Sequence, residues 1–254
     1  MPKPGGKGAG MTSALPDPSE LGQLVGKPGE TLQETLHRTL LEMILFGYFE
    51  RGARLYPQEL SLKFGVSLTP VREALMRLAT EGYIEAIPRR GFHIRTPTPK
   101  QVADLWQVRF GLEVMAGELA IGRLAAGELT PKSLGVLETI QGKLEVAPRR
   151  MSHRLHVDLN GRFHHALVEL SGNHLLISLY RSIQMQLLGA WIQRGLNSWR
   201  DRLESEGVEH HAIIAALRAR DVEQYRAATR KHIDRSLQGA LNDLSAQEQD
   251  MTTE

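Results

Sequence analysis

Three histidines in the C-terminal half of this chain stand where separate helices can bring them together. His164 has Asn160 four residues back and Leu167 and Val168 three and four residues ahead, so it lies beside an apolar stripe. His210 sits over Ile213, Ile214 and Leu217 by the same phase, and His232 borders Ala228, Thr229 and Ser236 next to the stripe of Ile233, Leu237 and Leu241. Their neighbours His165 and His211 have charged partners in phase (Arg162 and Glu169, and Arg218) and face solvent. Three imidazoles with a weaker oxygen donor from Asn160 are the ligand types of an open divalent site, with room left for a water or a ligand atom. Spacing alone does not make them converge, and the alternative is three core histidines satisfied by hydrogen bonds. Arg109, in WQVRFGLEVMAGELA, poses a second question. An arginine among apolar neighbours needs an anion, which is either an organic acid held by two hydrogen bonds or Glu113 one turn on.

The elements that would position these residues read as helices. Beyond Lys100 the candidate spans are 99–126, 131–147, 151–171, 173–195, 201–220 and 222–244, broken at Gly127, Pro148, Gly172-Asn173 and Asp221. Six amphipathic helices of this length predict a bundle whose interior can hold a ligand or a metal. A length of 254 residues suits two ordinary domains. With 41% hydrophobic and 24% charged residues the chain reads as globular, and no apolar run approaches the roughly 18 residues of a membrane span. No secretory signal is expected, because the opening lysines and glycines are followed by no apolar core. The absence of cysteine excludes disulfides and thiolate chemistry and fits a reducing cytoplasm.

The N-terminal half carries a different pattern. From Thr31 a helical period runs through Leu32, Leu36, Leu40 and Ile44. In QELSLKFGVSLTPVREALMRLATEGYIEAIPRRG, residues 58 to 91, a short helix ends at Gly65-Val66-Ser67 and a second carries Val71, Ala74, Leu75 and Leu78 at helical spacing. Ser67 or Thr69 can cap that second helix, Pro70 lies near its first turn, and Arg72 and Arg77 are left on its polar side. Two short strands then flank the basic turn Arg89-Arg90-Gly91. Helix, turn, helix and basic hairpin predict a winged helix whose second helix enters a major groove. The net charge of +2 is too small to argue for nucleic acid, so this expectation rests on local arginines. The chain thus divides into an N-terminal extension over 1–30, expected to be disordered, a winged helix over 31–97, a helical domain over 98–246 and a flexible tail over 247–254. Thr96-Pro97-Thr98-Pro99 reads as a stiff linker.

LSLKFGVSLTPVREALMRLATEGYI followed by RRGF closely resembles the N-terminal domain of the GntR family of bacterial transcription regulators. The resemblance implies DNA contacts from Ser67, Thr69, Arg72, Arg90 and Gly91, and Gln58 and Arg89 join them as candidate DNA-binding residues. It departs at Leu68 and Gln58, where the family pattern commonly has arginines. Residues 101 to 245 resemble the FCD domain of the fatty-acid-regulator branch of that family, through Arg109 with Glu113, NGRFH, EHHAI and KHI. That resemblance implies a divalent metal, zinc or nickel first, on Asn160, His164, His210 and His232, with Asn160 replacing the usual aspartate. It also implies a small carboxylate effector reaching Arg109.

The expected fold is mostly α, a winged helix-turn-helix joined to a bundle of six to seven helices. The expected function is a cytoplasmic, homodimeric regulator of metabolic genes, a repressor on a palindromic operator in double-stranded DNA, released by an organic acid. Two other classes stay open on the sequence: a metal-dependent hydrolase using a water on the histidines, and a DNA-binding protein with no effector.

Overall fold

The computed structural model describes residues 24, 26–45, 48–49, 52–95, 97–145, 153–192 and 200–252, with the side chains of 45, 153–154, 184–200 and 246–252 left aside. Residues 1–23 and 25 of the expected N-terminal extension, Thr96 of the expected linker and the break expected at Pro148 lie outside the described residues. The chain separates into two compact units, one ending at Arg95 and the next beginning at Thr96.

In the first unit helix α1 (Leu32–Leu45) is followed by strand β1 (Arg54–Leu55), helices α2 (Pro57–Phe64) and α3 (Leu68–Thr80), and strands β2 (Ile84–Ile87) and β3 (Gly91–Ile94). Helix α2 stops because Gly65 adopts φ +66, which lets its N–H and that of Val66 bond back to Leu62 and Ser61. Ser67 takes the N-cap position of α3 with extended backbone, but its hydroxyl makes no capping bond. Helix α3 therefore starts at Leu68, with Pro70 as its third residue. Leu36 and Leu40 of α1, Leu60 of α2, and Val71, Ala74, Leu75 and Leu78 of α3 are completely buried together. Most of these are positions that helical periodicity assigns to the core.

The sheet has order β1-β3-β2, antiparallel throughout, with Arg54 opposite His93 and Ile87 opposite Gly91. Strand β1 is not legible in the sequence: two residues carry no measurable alternation. The turn between β2 and β3 is closed by an Arg90 N–H to Ile87 carbonyl bond of 3.0 Å, with φ +64 at Arg89 and +87 at Gly91.

The second unit is helical. Helix α4 (Pro99–Ala125) begins with a capping box, in which Thr98 accepts from the Gln101 N–H and the Gln101 side chain accepts from the Thr98 N–H. A 3-10 turn (Pro131–Leu134) leads into α5 (Gly135–Glu145). Then come α6 (His153–Glu169), α7 (His174–Ile192), a second 3-10 turn (Arg200–Arg202), α8 (Leu203–Ala219) and α9 (Val222–Thr252). Asp221 caps α9 by accepting from the Gln224 N–H at 2.9 Å, which explains the break expected there. Helix α9 continues to Thr252, past the 244 that periodicity predicts and through most of the segment expected as a tail.

The core of this unit joins Ala120 and Leu124 of α4, Phe163 and Leu167 of α6, Ile213 and Leu217 of α8, and Tyr225 of α9. Helix α4 meets α9 closely at Gly117, where an added Cβ would lie 2.0 Å from Tyr225 Cζ. The Tyr225 hydroxyl donates to the Glu113 carbonyl at 2.7 Å one turn earlier. Glycine is required there by space and not by backbone angle.

Candidate metal centre and nucleic-acid interface

Helix α6 presents His156, Asn160 and His164 at four-residue spacing, and all three are buried. His210 from α8 and His232 from α9 complete a cluster with His164, each at most 2% exposed. One ligand atom from each of the three lies within 4.8 Å of the others. His164 Nε2 and His232 Nε2 are 3.2 Å apart. Metal–nitrogen bonds of about 2.0–2.1 Å put two imidazole nitrogens on one ion roughly 3.0–3.4 Å apart. Phe163 stacks on the His210 ring at 3.9 Å between centroids and fixes its plane. The structure therefore brings together the three histidines that helical phase selects. His165 is only part-buried and pairs with Glu169, and the exposed His211 pairs with Glu145.

The far nitrogen of each imidazole has an acceptor behind it. His164 Nδ1 is 3.1 Å from Glu113 Oε2, His232 Nδ1 is 3.0 Å from Glu209 Oε2, and His210 Nδ1 is 2.7 Å from Gln141 Oε1. Glu113 also accepts from Arg109 and Tyr180, and both Glu209 oxygens accept from Arg235 Nε, so both carboxylates act as acceptors. Gln141 donates its amide to Glu145 at 2.9 Å, which turns its oxygen toward His210. Each histidine is thereby fixed as the Nδ1–H tautomer, with the Nε2 lone pair facing the shared space.

Electrostatics agree with neutral rings. Burial, and then the neighbouring His232, push His210 well below the usual imidazole value, and burial with His164 does the same to His232. Burial also lowers His164, partly offset by Glu113. For Glu113 burial favours the neutral acid, but Arg109 and His164 together outweigh it and hold the carboxyl well below its ordinary range. The donor set fits a cation: three neutral imidazole lone pairs converge, the buried Nε2 of His210 has no hydrogen-bond partner, and neither has the buried Oδ1 of Asn160.

Arg109 is 2% exposed and its Nε donates to Glu113 Oε1 at 2.7 Å, so the ion pair weighed from the sequence is formed. Its Nη2 is buried without a hydrogen-bond partner, which leaves one donor for another group. Sequence reading misses the supporting groups Gln141, Tyr180 and Glu209, and the buried pair of His156 Nε2 with Glu206 Oε1 at 2.9 Å. His156 and Glu206 each lie four residues before a site residue, and that phase is a usable signal. Gln141, Tyr180 and Glu209 come from other helices or from the position just before His210 on α8, where phase with the histidines says nothing.

In the winged helix Gln58, Ser67, Thr69, Arg72, Arg89 and Arg90 are all exposed, and Gly91 is half-buried at the turn. Among the described residues none of these arginines forms an ion pair, while Arg77 is held by Glu81 at 3.0 Å. No helix among the described residues is long and apolar enough to cross a membrane.

Residues 104–235 match the FCD domain, and residues 32–94 match the family described as bacterial regulatory proteins, gntR family. The Nta operon transcriptional regulator of Aminobacter aminovorans is 32% identical over 212 residues, covering 80% of this chain and 95% of the relative. The HTH-type transcriptional regulator McbR of Escherichia coli (strain K12) is 28% identical over 197 residues, covering 76% and 84% respectively. A solved structure of E. coli McbR/YncC superposes with a TM-score of 0.67 at 24% identity, over 84% of this chain and 98% of that one, which shows the shared fold. That family consists of transcriptional regulators and not enzymes, so the hydrolase alternative falls. A winged helix with a bare basic turn, followed by a helical bundle with a polar heart, is the layout those matches describe: the chain belongs to the GntR family of transcriptional regulators and carries its FCD domain.

Proposed function

We propose that the protein is a metabolite-responsive repressor that binds a palindromic operator as a homodimer and leaves it when a small carboxylate binds at a metal in the helical unit. The single observation that carries the metal is the tautomer lock, which aims the Nε2 lone pairs of His164, His210 and His232 into one space. Without a cation, the two lone pairs 3.2 Å apart repel each other. Zinc or nickel fits three neutral imidazoles. Asn160 Oδ1 is the fourth donor, an amide where a carboxylate would bind more strongly. When bound, the metal supplies a Lewis-acid position for a carboxylate oxygen. Arg109 offers its remaining Nη2 to the same anion, and Glu113 ties Arg109 and His164 into one unit.

On the DNA side a module that reads few base pairs gains specificity by dimerising across a two-fold site. Such a dimer on a promoter occludes polymerase, which makes repression the reading, and a DNA target places the protein in the cytoplasm. Coupling between effector and operator is a free energy of ~1–3 kcal/mol and is reciprocal. Calorimetric titration of candidate organic acids, with and without promoter DNA, tests it. Each ligand should weaken the other by the same factor, Arg109→Ala should lose the response while still binding DNA, and Asn160→Asp should tighten the metal. Metal-free wild-type protein, or a full response in the Arg109 variant, would sink the corresponding half of the proposal.

A further inference from the structure

The winged-helix unit sorts its arginines into two groups. Arg38, Arg77 and Arg95 each pair with a carboxylate, on Glu30, Glu81 and Glu85 respectively. Arg54, Arg72, Arg89 and Arg90 form no ion pair among the described residues, and the first three line one cleft of about 440 Å³ together with Tyr56, Gln58 and Phe92. Three guanidinium groups around one concavity repel each other, and no acidic side chain lines it among the described residues. Such a concentration of unopposed charge is relieved by a polyanion.

Arg54 comes from β1, the strand that the sequence does not reveal. Its guanidinium lies 4.7 Å above the Tyr56 ring. It also lies close to the wing: a Cβ added to Gly91 would be 3.6 Å from Arg54 Nε and 3.7 Å from Nη2. Contact with the aromatic face and the glycine reduces the rotamer freedom that this exposed side chain has to lose on binding. Gln58, at the start of α2, lines the same cleft at the position where the resembling pattern has an arginine.

We propose that this cleft seats a backbone phosphate of DNA, and that Arg54 is a phosphate-binding residue that supplies from β1 the positive charge missing at Gln58. The inference rests on the DNA-binding reading above and adds a residue to it. Phosphates are common to every sequence, so Arg54 contributes affinity and register and leaves base preference to α3.

The test is fluorescence anisotropy of the full-length protein with a labelled random-sequence duplex of roughly 30 base pairs, titrated at several salt concentrations between about 50 and 200 mM. Arg54→Ala should weaken binding and reduce the slope of log affinity against log salt by about 0.9 for each phosphate left without its cation. Arg54→Lys should keep the wild-type slope, and Arg77→Ala, whose charge is already paired, should change neither quantity. A wild-type slope in Arg54→Ala would overturn the proposal. Equal weakening in Arg54→Lys and Arg54→Ala would also overturn it, assigning the residue to packing on Tyr56. Thermal melting of each variant, expected to match wild type, distinguishes a missing phosphate grip from a damaged fold. A wild-type protein that binds no duplex at all would overturn the regulator reading together with this one.

Discussion

Each imidazole of the buried centre is gripped from behind by a side chain on another helix, whereas the arginines of the basic face form no ion pair with any described carboxylate. An unpaired polar atom inside a protein costs about 1–3 kcal/mol, and so the far nitrogen of each buried ring is matched by an acceptor, with only the atoms that face the shared space left open. The exposed cations need no partner until an anion arrives. One region therefore behaves as a unit in which losing any part disturbs the rest. The other behaves as a set of nearly independent charges.

The largest effect that would break this contrast is at the centre itself. Alanine at His164, His210 or His232 should remove the metal completely, while His165→Ala and His211→Ala keep it, as elemental analysis of purified protein would read. A metal held at 100 times its dissociation constant stabilises the native state by about 2.7 kcal/mol. Chelation should therefore lower the melting temperature of wild type by roughly 5–10 °C and leave the three variants unmoved. Equal metal in all five variants would end the idea of a shared ion.

Next in size is the packing that holds the unit. Gly117→Ala drives a methyl group to within 2.0 Å of Tyr225 and displaces the hydroxyl that bonds Glu113. It should cost about 1–3 kcal/mol by denaturant titration and weaken metal binding as well, although residue 117 touches no proposed ligand. Gln141→Leu and Glu209→Gln, which release or weaken the grip on one imidazole, should each lower metal affinity about 10–100-fold. Unchanged affinity in both would mean that the rings hold themselves.

The basic face should respond in smaller and separable steps. Arg72→Ala should cost ~1–3 kcal/mol on specific DNA if it reads a base, and Arg90→Ala should mainly flatten the salt dependence, both readable by gel shift. At the bottom of the scale Arg77→Ala, which removes an exposed pair with Glu81, should change stability by less than about 1 kcal/mol.

Sequence legibility follows the same division. The winged helix is readable because its core, its Gly65 stop and its basic turn lie within one continuous stretch, so local spacing carries the whole arrangement. The histidines are readable one helix at a time, since phase reports which way a side chain faces. Phase does not report which residue of another helix it meets, and so Gln141 and Glu209 stay invisible. The ion pair of Arg109 with Glu113 is open in the sequence because a buried arginine one turn from a glutamate fits either outcome. Strand β1 escapes because it is defined by pairing with the wing and not by its own two residues.

The wing turn places Arg89 at φ +64, a left-handed conformation that costs a residue with a Cβ about 1–2 kcal/mol. Glycine would adopt it freely, so Arg89→Gly should raise the melting temperature of the winged helix even as it removes a cation from the proposed phosphate cleft. At this one position durability and grip are exchanged for each other. Selection for thermostability alone would then be expected to erode operator binding first at the tip of the wing.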